Sequence, residues 1–207
     1  MGPTSFFEEA ARACGFRRIA GLDEAGRGPI AGPVVAAIVV LPRRFASNIL
    51  DDSKLLTESR RNLLFDLITA QAKEWAIGLA SEQEIDRLNI LEATRLAGQR
   101  ALEALRHPPD CLLLDAIRLP AVSVSQRPII KGDALSLTIA AASVLAKVSR
   151  DRIMERYHEQ FPQYQFHIHK GYPTAVHLQR LQQFGPCPGH RKTFGPVQAC
   201  TPLAPHR

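Results

Sequence analysis

Residues 32–41, "GPVVAAIVVL", are apolar at nearly every position. A strand with one wet face alternates apolar and polar residues, so this run predicts a strand covered on both faces. The apolar segment before it, "RRIAGLD", reads as a buried strand ending at Asp23, and the short Gly/Pro link between the two suits a hairpin-like return. "EWAIGLAS" and "DCLLLDA" read as further strands, and "RPIIKGD" as a short extended piece. An amphipathic helix is expected around Ser5 to Cys14, and "DDSKLLTESRRNLLFDLITAQA" reads as a loop followed by a helix. "SEQEIDRLNILEATRLAGQRALEAL" opens on a capping box, Ser81 and Glu84, and reads as one long helix stopped by His107, Pro108 and Pro109. Another long helix is expected from about Ala134 to Gln160, and a final one over "PTAVHLQRLQQFG", before a proline-rich, irregular tail. The predicted class is α/β, a mixed central sheet flanked by helices. One domain is expected over residues 1–207, with a core at about 16–160 and a small helical or irregular appendage at about 161–207.

A formal net charge of +6 suits a polyanionic partner. No apolar run approaches membrane-spanning length, and "MGPTSFFEEAARACGF" lacks a signal-peptide pattern, so no membrane partner is expected. Cys14, Cys111, Cys187 and Cys200 are scattered without a CxxC pair, which fits free thiols in a reducing cytoplasm. Cys187 and His190 have ligand-like spacing, but no second pair completes a zinc site.

Two carboxylates, Asp23 and Glu24, stand at the end of an apolar strand and are followed by Gly26, Arg27 and Gly28. Successive side chains of a strand point to opposite faces, so both serve one site only if the glycines let the chain turn at once. Two carboxylates that close repel unless a positive charge lies between them. Such a pair could equally cap a turn or bind Arg27. Asp115, however, ends "CLLLD" at another strand mouth, and Asp133 ends "KGD" just before a helix, where it could also serve as the N-cap. Four carboxylates with no cysteine or histidine among them form an all-oxygen ligand set suited to Mg²⁺ or Mn²⁺. Paired hard cations roughly 4 Å apart are a recurrent device for phosphodiester cleavage. On the long helix, Ser143, Lys147 and Arg150 fall on one polar stripe that could hold a substrate backbone, although an arginine there could also snorkel at a domain edge.

"LDEAGRGPIAGPVVAA", "DDSKLL", "LLLDA", "KGDALSLTIAAASVLAKVSRDR", "HKGYPT" and "HRKTF" occur in an order that resembles type 2 ribonucleases H, ribonuclease HII, from about Ile19 to Val197. Ser149 and Thr193 depart conservatively from the usual threonine and serine. The resemblance implies a ribonuclease H-like fold and a metal-dependent endonuclease that cuts RNA in RNA–DNA hybrids. It also implies cutting 5′ to single ribonucleotides in duplex DNA, leaving a 3′-hydroxyl. Carried over by position, it implies that Asp23, Glu24, Asp115 and Asp133 are the catalytic metal ligands for Mn²⁺ or Mg²⁺. Gly26, Arg27 and Gly28 would then read the 2′-hydroxyl that separates RNA from DNA. Tyr172 would pack on the sugar on the DNA side of the junction, where a core tyrosine is the plainer alternative. Lys170 and His169 are expected at phosphates or in a solvated loop. Lys147 and Ser143 are expected near the substrate, and Asp52, Ser53 and Lys54 in a substrate-side loop or an Asx-type turn. A monomer acting on RNA–DNA hybrids and on duplex DNA containing ribonucleotides is expected. The alternatives are a type 3 ribonuclease H, disfavoured because the first catalytic block begins at Asp23, and a basic module that binds hybrids without cutting them.

Overall fold

The computed structural model describes residues 2–45, 50 and 57–200. Five strands form one sheet in the order β3-β2-β1-β4-β5, namely β1 (Ile19–Ala25), β2 (Val34–Val40), β3 (Glu74–Ala80), β4 (Cys111–Asp115) and β5 (Ser125–Ile129). β1 to β3 are antiparallel, whereas β4 and β5 run parallel to β1. The sheet is therefore mixed, and the predicted hairpin return joins β1 to β2.

The continuous apolar run of β2 is explained by what lies on either side of it. Ala37 and Val39 pack with α6 (Leu137–Gln160) and α2 (Glu58–Gln71), while Val34 and Ala36 pack with α3 (Glu82–Leu88) and α4 (Ile90–Glu103). β1 divides the same way. Ala20 and Leu22 face the α4 layer, and Ile19 shares a cluster with Ile139 of α6. Gly21 lies on the α6 side, where a Cβ would stand 2.2 Å from the Thr138 carbonyl carbon, so α6 crosses β1 closer than any side chain allows.

Two predicted helices are each broken in two. Asn89 separates α3 from α4 with φ 73 and ψ 165, a positive-φ, extended conformation that no helix can contain, and its Oδ1 accepts from the N–H groups of Leu91 and Glu92. The helix expected from Ala134 becomes α5 (Gly132–Leu135) and α6, parted at Ser136. There the backbone is extended, the side chain caps Ile139, and Thr4 bridges the flanking residues from the N-terminal segment. Glu8 of α1 (Phe6–Ala13) completes this cap. It accepts from Thr138 N–H at 2.9 Å and from the Ser136 hydroxyl at 2.6 Å.

Beyond α6 the chain forms a 3₁₀ turn (Pro162–Tyr164), α7 (Phe166–His169), α8 (Ala175–Phe184) and α9 (Gly195–Gln198), the last lying in the tail expected to be irregular. This segment packs on the β1–β2 connection through Ala31 and Ile30, with Tyr164, Phe166 and Leu181 buried against them. Among the described residues, no helix is long and apolar enough to cross a membrane.

Candidate active site

The sheet register brings the carboxylates together. Leu22 of β1 stands opposite Leu114 of the parallel β4, so the next residues, Asp23 and Asp115, emerge side by side from the carboxyl ends of neighbouring strands. Asp115 pairs with Ile129 of β5, and two residues later Lys131 adopts a left-handed conformation that turns the chain into α5, carrying Asp133 back over the strand ends. One oxygen from each of Asp23, Asp115 and Asp133 lies within 4.8 Å of the other two. Asp133 is not a helix cap, since Lys131 and Ser136 occupy the cap positions.

β1, expected to end at Asp23, continues to Ala25. Its alternation holds Glu24 beside the three-oxygen group rather than within it. Glu24 lines the adjoining cleft, with Arg27 Nη1 at 3.4 Å from its Oε1. Asp23 is buried. Its Oδ1 accepts from the Glu24 N–H at 2.8 Å, and Ser143 supplies a side-chain hydrogen bond. Burial, and then the charge of Glu24, push the Asp23 carboxyl well above the usual range. Burial pushes Glu24 up to about 7, with Asp115 adding to the rise and Arg27 opposing it. Close, dehydrated carboxylates of this kind favour a bound cation, and an all-oxygen donor set fits a hard divalent ion.

The cleft beside the carboxylates has a volume of about 450 Å³ and is lined by Glu24, Gly26, Arg27, Gly28, Ser143, Lys147 and Tyr172, with Arg61 and Arg150. Gly26 has φ 99, and a Cβ there would stand 2.1 Å from Arg150 Nε. Two buried arginines shape this loop by filling its carbonyls. Arg191 donates to the carbonyls of Gly26 and Pro29 at 2.6 Å, Gly32 at 2.9 Å and Arg27 at 3.1 Å. Arg150 donates to Lys170 at 2.9 Å, Ala31 at 3.0 Å and Pro33 at 3.1 Å. Burial, then the charge of Arg150, lower Arg191 to about 9, which leaves it charged at neutral pH, and the buried Glu82 provides a nearby opposite charge.

Ser143, Lys147, Tyr172 and the Gly26–Gly28 turn thus line one cleft with Glu24. Tyr172 is 43 % exposed rather than a core residue, and its ring lies 3.6 Å from where a Cβ of Gly28 would stand. Lys147 also pairs with Asp151 at 2.7 Å. Other expected contacts lie elsewhere. Lys170 is not among the lining residues, and its ammonium rests on Glu155 at 3.0 Å. His169 is buried, with Nε2 2.8 Å from the Tyr164 carbonyl. Arg150 is an internal clamp rather than a cation presented to solvent. Asp52, Ser53 and Lys54 fall outside the described residues. Arg61 was not anticipated in the cleft, because its place depends on how α2 packs against α6. Arg191 was visible only as part of "HRKTF", which carries no sign of burial.

The family model described as Ribonuclease HII matches residues 20–196. A ribonuclease HII of Ruminiclostridium cellulolyticum is 53% identical over 188 residues, covering 91% of this chain and 74% of that relative. The crystal structure of the ribonuclease H2 from Pyrococcus horikoshii OT3 superposes with a TM-score of 0.75 at 26% identity, covering 89% of this chain and 97% of that one. The crystal structure of Bst-RNase HIII in complex with Mn²⁺ gives a TM-score of 0.70 over 92% of this chain and 71% of that one, and at 16% identity it shows the shared fold alone.

Proposed function

Because the chain belongs to the ribonuclease HII family, and is thereby a ribonuclease H with a ribonuclease H-like fold, we propose that Asp23, Asp115 and Asp133, with Glu24 as the fourth, form its catalytic metal site. The observation that carries this reading is the convergence of three carboxylate oxygens within 4.8 Å at the edge of the Gly26–Tyr172 cleft. Mg²⁺ or Mn²⁺ held there supplies an acidified water and neutralises charge on the phosphoryl oxygens. The residues of the chain do the rest. Asp23 and Glu24 give up their protons when a cation is held, and the Ser143 hydroxyl orients Asp23.

The Gly26–Arg27–Gly28 backbone, clamped from behind by Arg191 and Arg150, approaches the ribose closely enough to read its 2′-hydroxyl. The Arg27 side chain, 47% exposed, and Lys147 bind neighbouring phosphates. Tyr172 packs its exposed ring on the sugar that follows on the DNA side. The substrates are RNA–DNA hybrids and duplex DNA containing single ribonucleotides, cut 5′ to the ribonucleotide to leave a 3′-hydroxyl. In this reading the protein acts as a monomer, and the free thiols suit a reducing cytoplasm.

The test is a DNA duplex with one ribonucleotide, incubated with Mg²⁺ or Mn²⁺ and either the wild type or Asp115→Asn. A single cut 5′ to the ribonucleotide, lost in the variant, is expected. Tight binding without a cut by the wild type would instead favour the non-catalytic module.

A further inference from the structure

Beneath the backbone of Tyr172 lie three buried imidazoles that the hydrolysis does not use, His169, His177 and His190. Their hydrogen bonds fix the position of every ring proton. The Cys187 N–H can only donate, and it faces His190 Nδ1 at 3.0 Å, so that nitrogen holds a lone pair and the ring proton is on Nε2. His190 Nε2–H lies 3.1 Å from His177 Nε2, which must therefore accept. The proton of His177 is then on Nδ1, where it is donated to the Tyr172 carbonyl at 2.8 Å. The reverse assignment would set a His190 Nδ1–H against the Cys187 N–H, two donors face to face. His169 is fixed in the same way. It accepts from the Gly171 N–H at 3.2 Å and donates from Nε2 to the Tyr164 carbonyl at 2.8 Å. Its ring stacks on that of His177 with centroids 4.2 Å apart. Burial holds all three neutral, with His177 and His190 lowered to about 4 and His169 also lowered.

The same short segment reaches the other wall of the cleft. The Gly189 carbonyl accepts from the Gly32 N–H at 2.9 Å, and Arg191 holds the carbonyls of Gly26 and Arg27. Residues 189–191 thus grip the loop that faces the ribose and, through His190 and His177, the backbone of the tyrosine opposite. The two walls also meet directly, where the Ile30 N–H donates to the Gly171 carbonyl at 2.9 Å.

We propose that His177, held in one tautomer by His190, is the positioning residue for Tyr172, setting its ring over Gly28 and with it the preference for a ribonucleotide followed by deoxyribose. This rests on the reading of Tyr172 given above. Without the Nδ1–H donor, the Tyr172 carbonyl keeps the Thr174 N–H at 2.8 Å, and Tyr172 loses the one tie that runs from its own carbonyl through His190 to residues 189–191, while the Ile30–Gly171 bond remains.

The readout is the ratio of kcat/KM on a duplex with one ribonucleotide to kcat/KM on a uniform RNA–DNA hybrid. His177→Leu is expected to lower that ratio about tenfold, the effect of one lost buried hydrogen bond. His177→Asn, whose amide N–H falls near the Nδ1 position, is expected to keep the ratio within about threefold of wild type. Equal ratios in the two variants, or an unchanged ratio in His177→Leu, would overturn the proposal. Tyr172→Ala, assayed alongside, separates the two failures. An unchanged ratio in that variant removes the reading of Tyr172 itself, and the proposal with it. A lowered ratio there, with His177→Leu unaffected, removes only the role of His177. Should His177→Leu fail to fold, nitrogen-15 NMR of the wild-type imidazoles decides. Protons on Nδ1 of His177 and Nε2 of His190 support the chain, and the opposite tautomers overturn it.

Discussion

Replacing Glu24 by glutamine should stabilise the metal-free protein at high pH and leave it unchanged at low pH. In the fold the Glu24 carboxyl is raised from its ordinary 4.5 to about 7, chiefly because burial penalises its charged form. Between these values the folded chain keeps a proton that the unfolded chain has released. Wild-type stability therefore falls as pH rises through the window and levels off above it. At about 1.4 kcal/mol for each pH unit, the loss by pH 8 is roughly 3 kcal/mol. The side chain is only 11% exposed, so water screens little of this. Glutamine carries no such penalty, and it also removes the second-largest cause of the rise at Asp23. For a chain of this size the gain corresponds to roughly 6–12 °C in Tm. The assay is thermal unfolding of both proteins in EDTA from pH 4 to pH 8. Saturating Mg²⁺ should shrink or reverse the gap, because ligand binding stabilises the folded wild type. A variant no more stable than wild type at pH 8, or a gap that persists at pH 4, would show that burial does not hold the proton on Glu24.

Three further outcomes are expected. Gly26→Ala should lower kcat/KM on the single-ribonucleotide duplex about tenfold or more, because its Cβ would meet Arg150 Nε at 2.1 Å and that guanidinium is held by three carbonyls. Arg191→Lys should cost about 2–4 kcal/mol in denaturant unfolding, since one ammonium cannot reach the carbonyls of Gly26, Arg27, Pro29 and Gly32 together. Lys147→Ala should weaken hybrid binding and reduce the slope of log affinity against log salt by about one, measured by fluorescence anisotropy in EDTA.

Much of the scaffold could be read from local pattern. The apolar run of β2 has both faces covered, and the Ser81–Glu84 capping box forms as expected, with Ser81 N–H donating to Glu84 at 2.9 Å. The two helix breaks were hidden for different reasons. At Asn89 a single positive-φ residue suffices, whereas at Ser136 the break depends on Thr4 and Glu8, more than 100 residues distant in the chain. Asp23 and Asp115 could be placed at strand mouths because each follows apolar residues. Their adjacency depends on β4 lying next to β1, an arrangement of strands that no local pattern specifies. The polar stripe on α6 was visible but divides in the fold. All three border the cleft, but Ser143 and Lys147 are partly exposed there, while Arg150 is buried with its donors spent on the carbonyls of Ala31, Pro33 and Lys170. Arg191 and the histidine chain lay beyond reach because a buried polar side chain is defined by its partners, and those come from Gly26–Gly32 and Tyr172.

Everything proposed for the cleft follows from the strand-end carboxylates holding divalent cations. Anomalous diffraction from crystals soaked in Mn²⁺ tests it most directly. A Mn²⁺ peak bounded by Asp23, Asp115 and Asp133 is expected, and it should be lost in Asp115→Asn crystals soaked identically. A peak coordinated elsewhere, or one that survives the substitution at full occupancy, would contradict it.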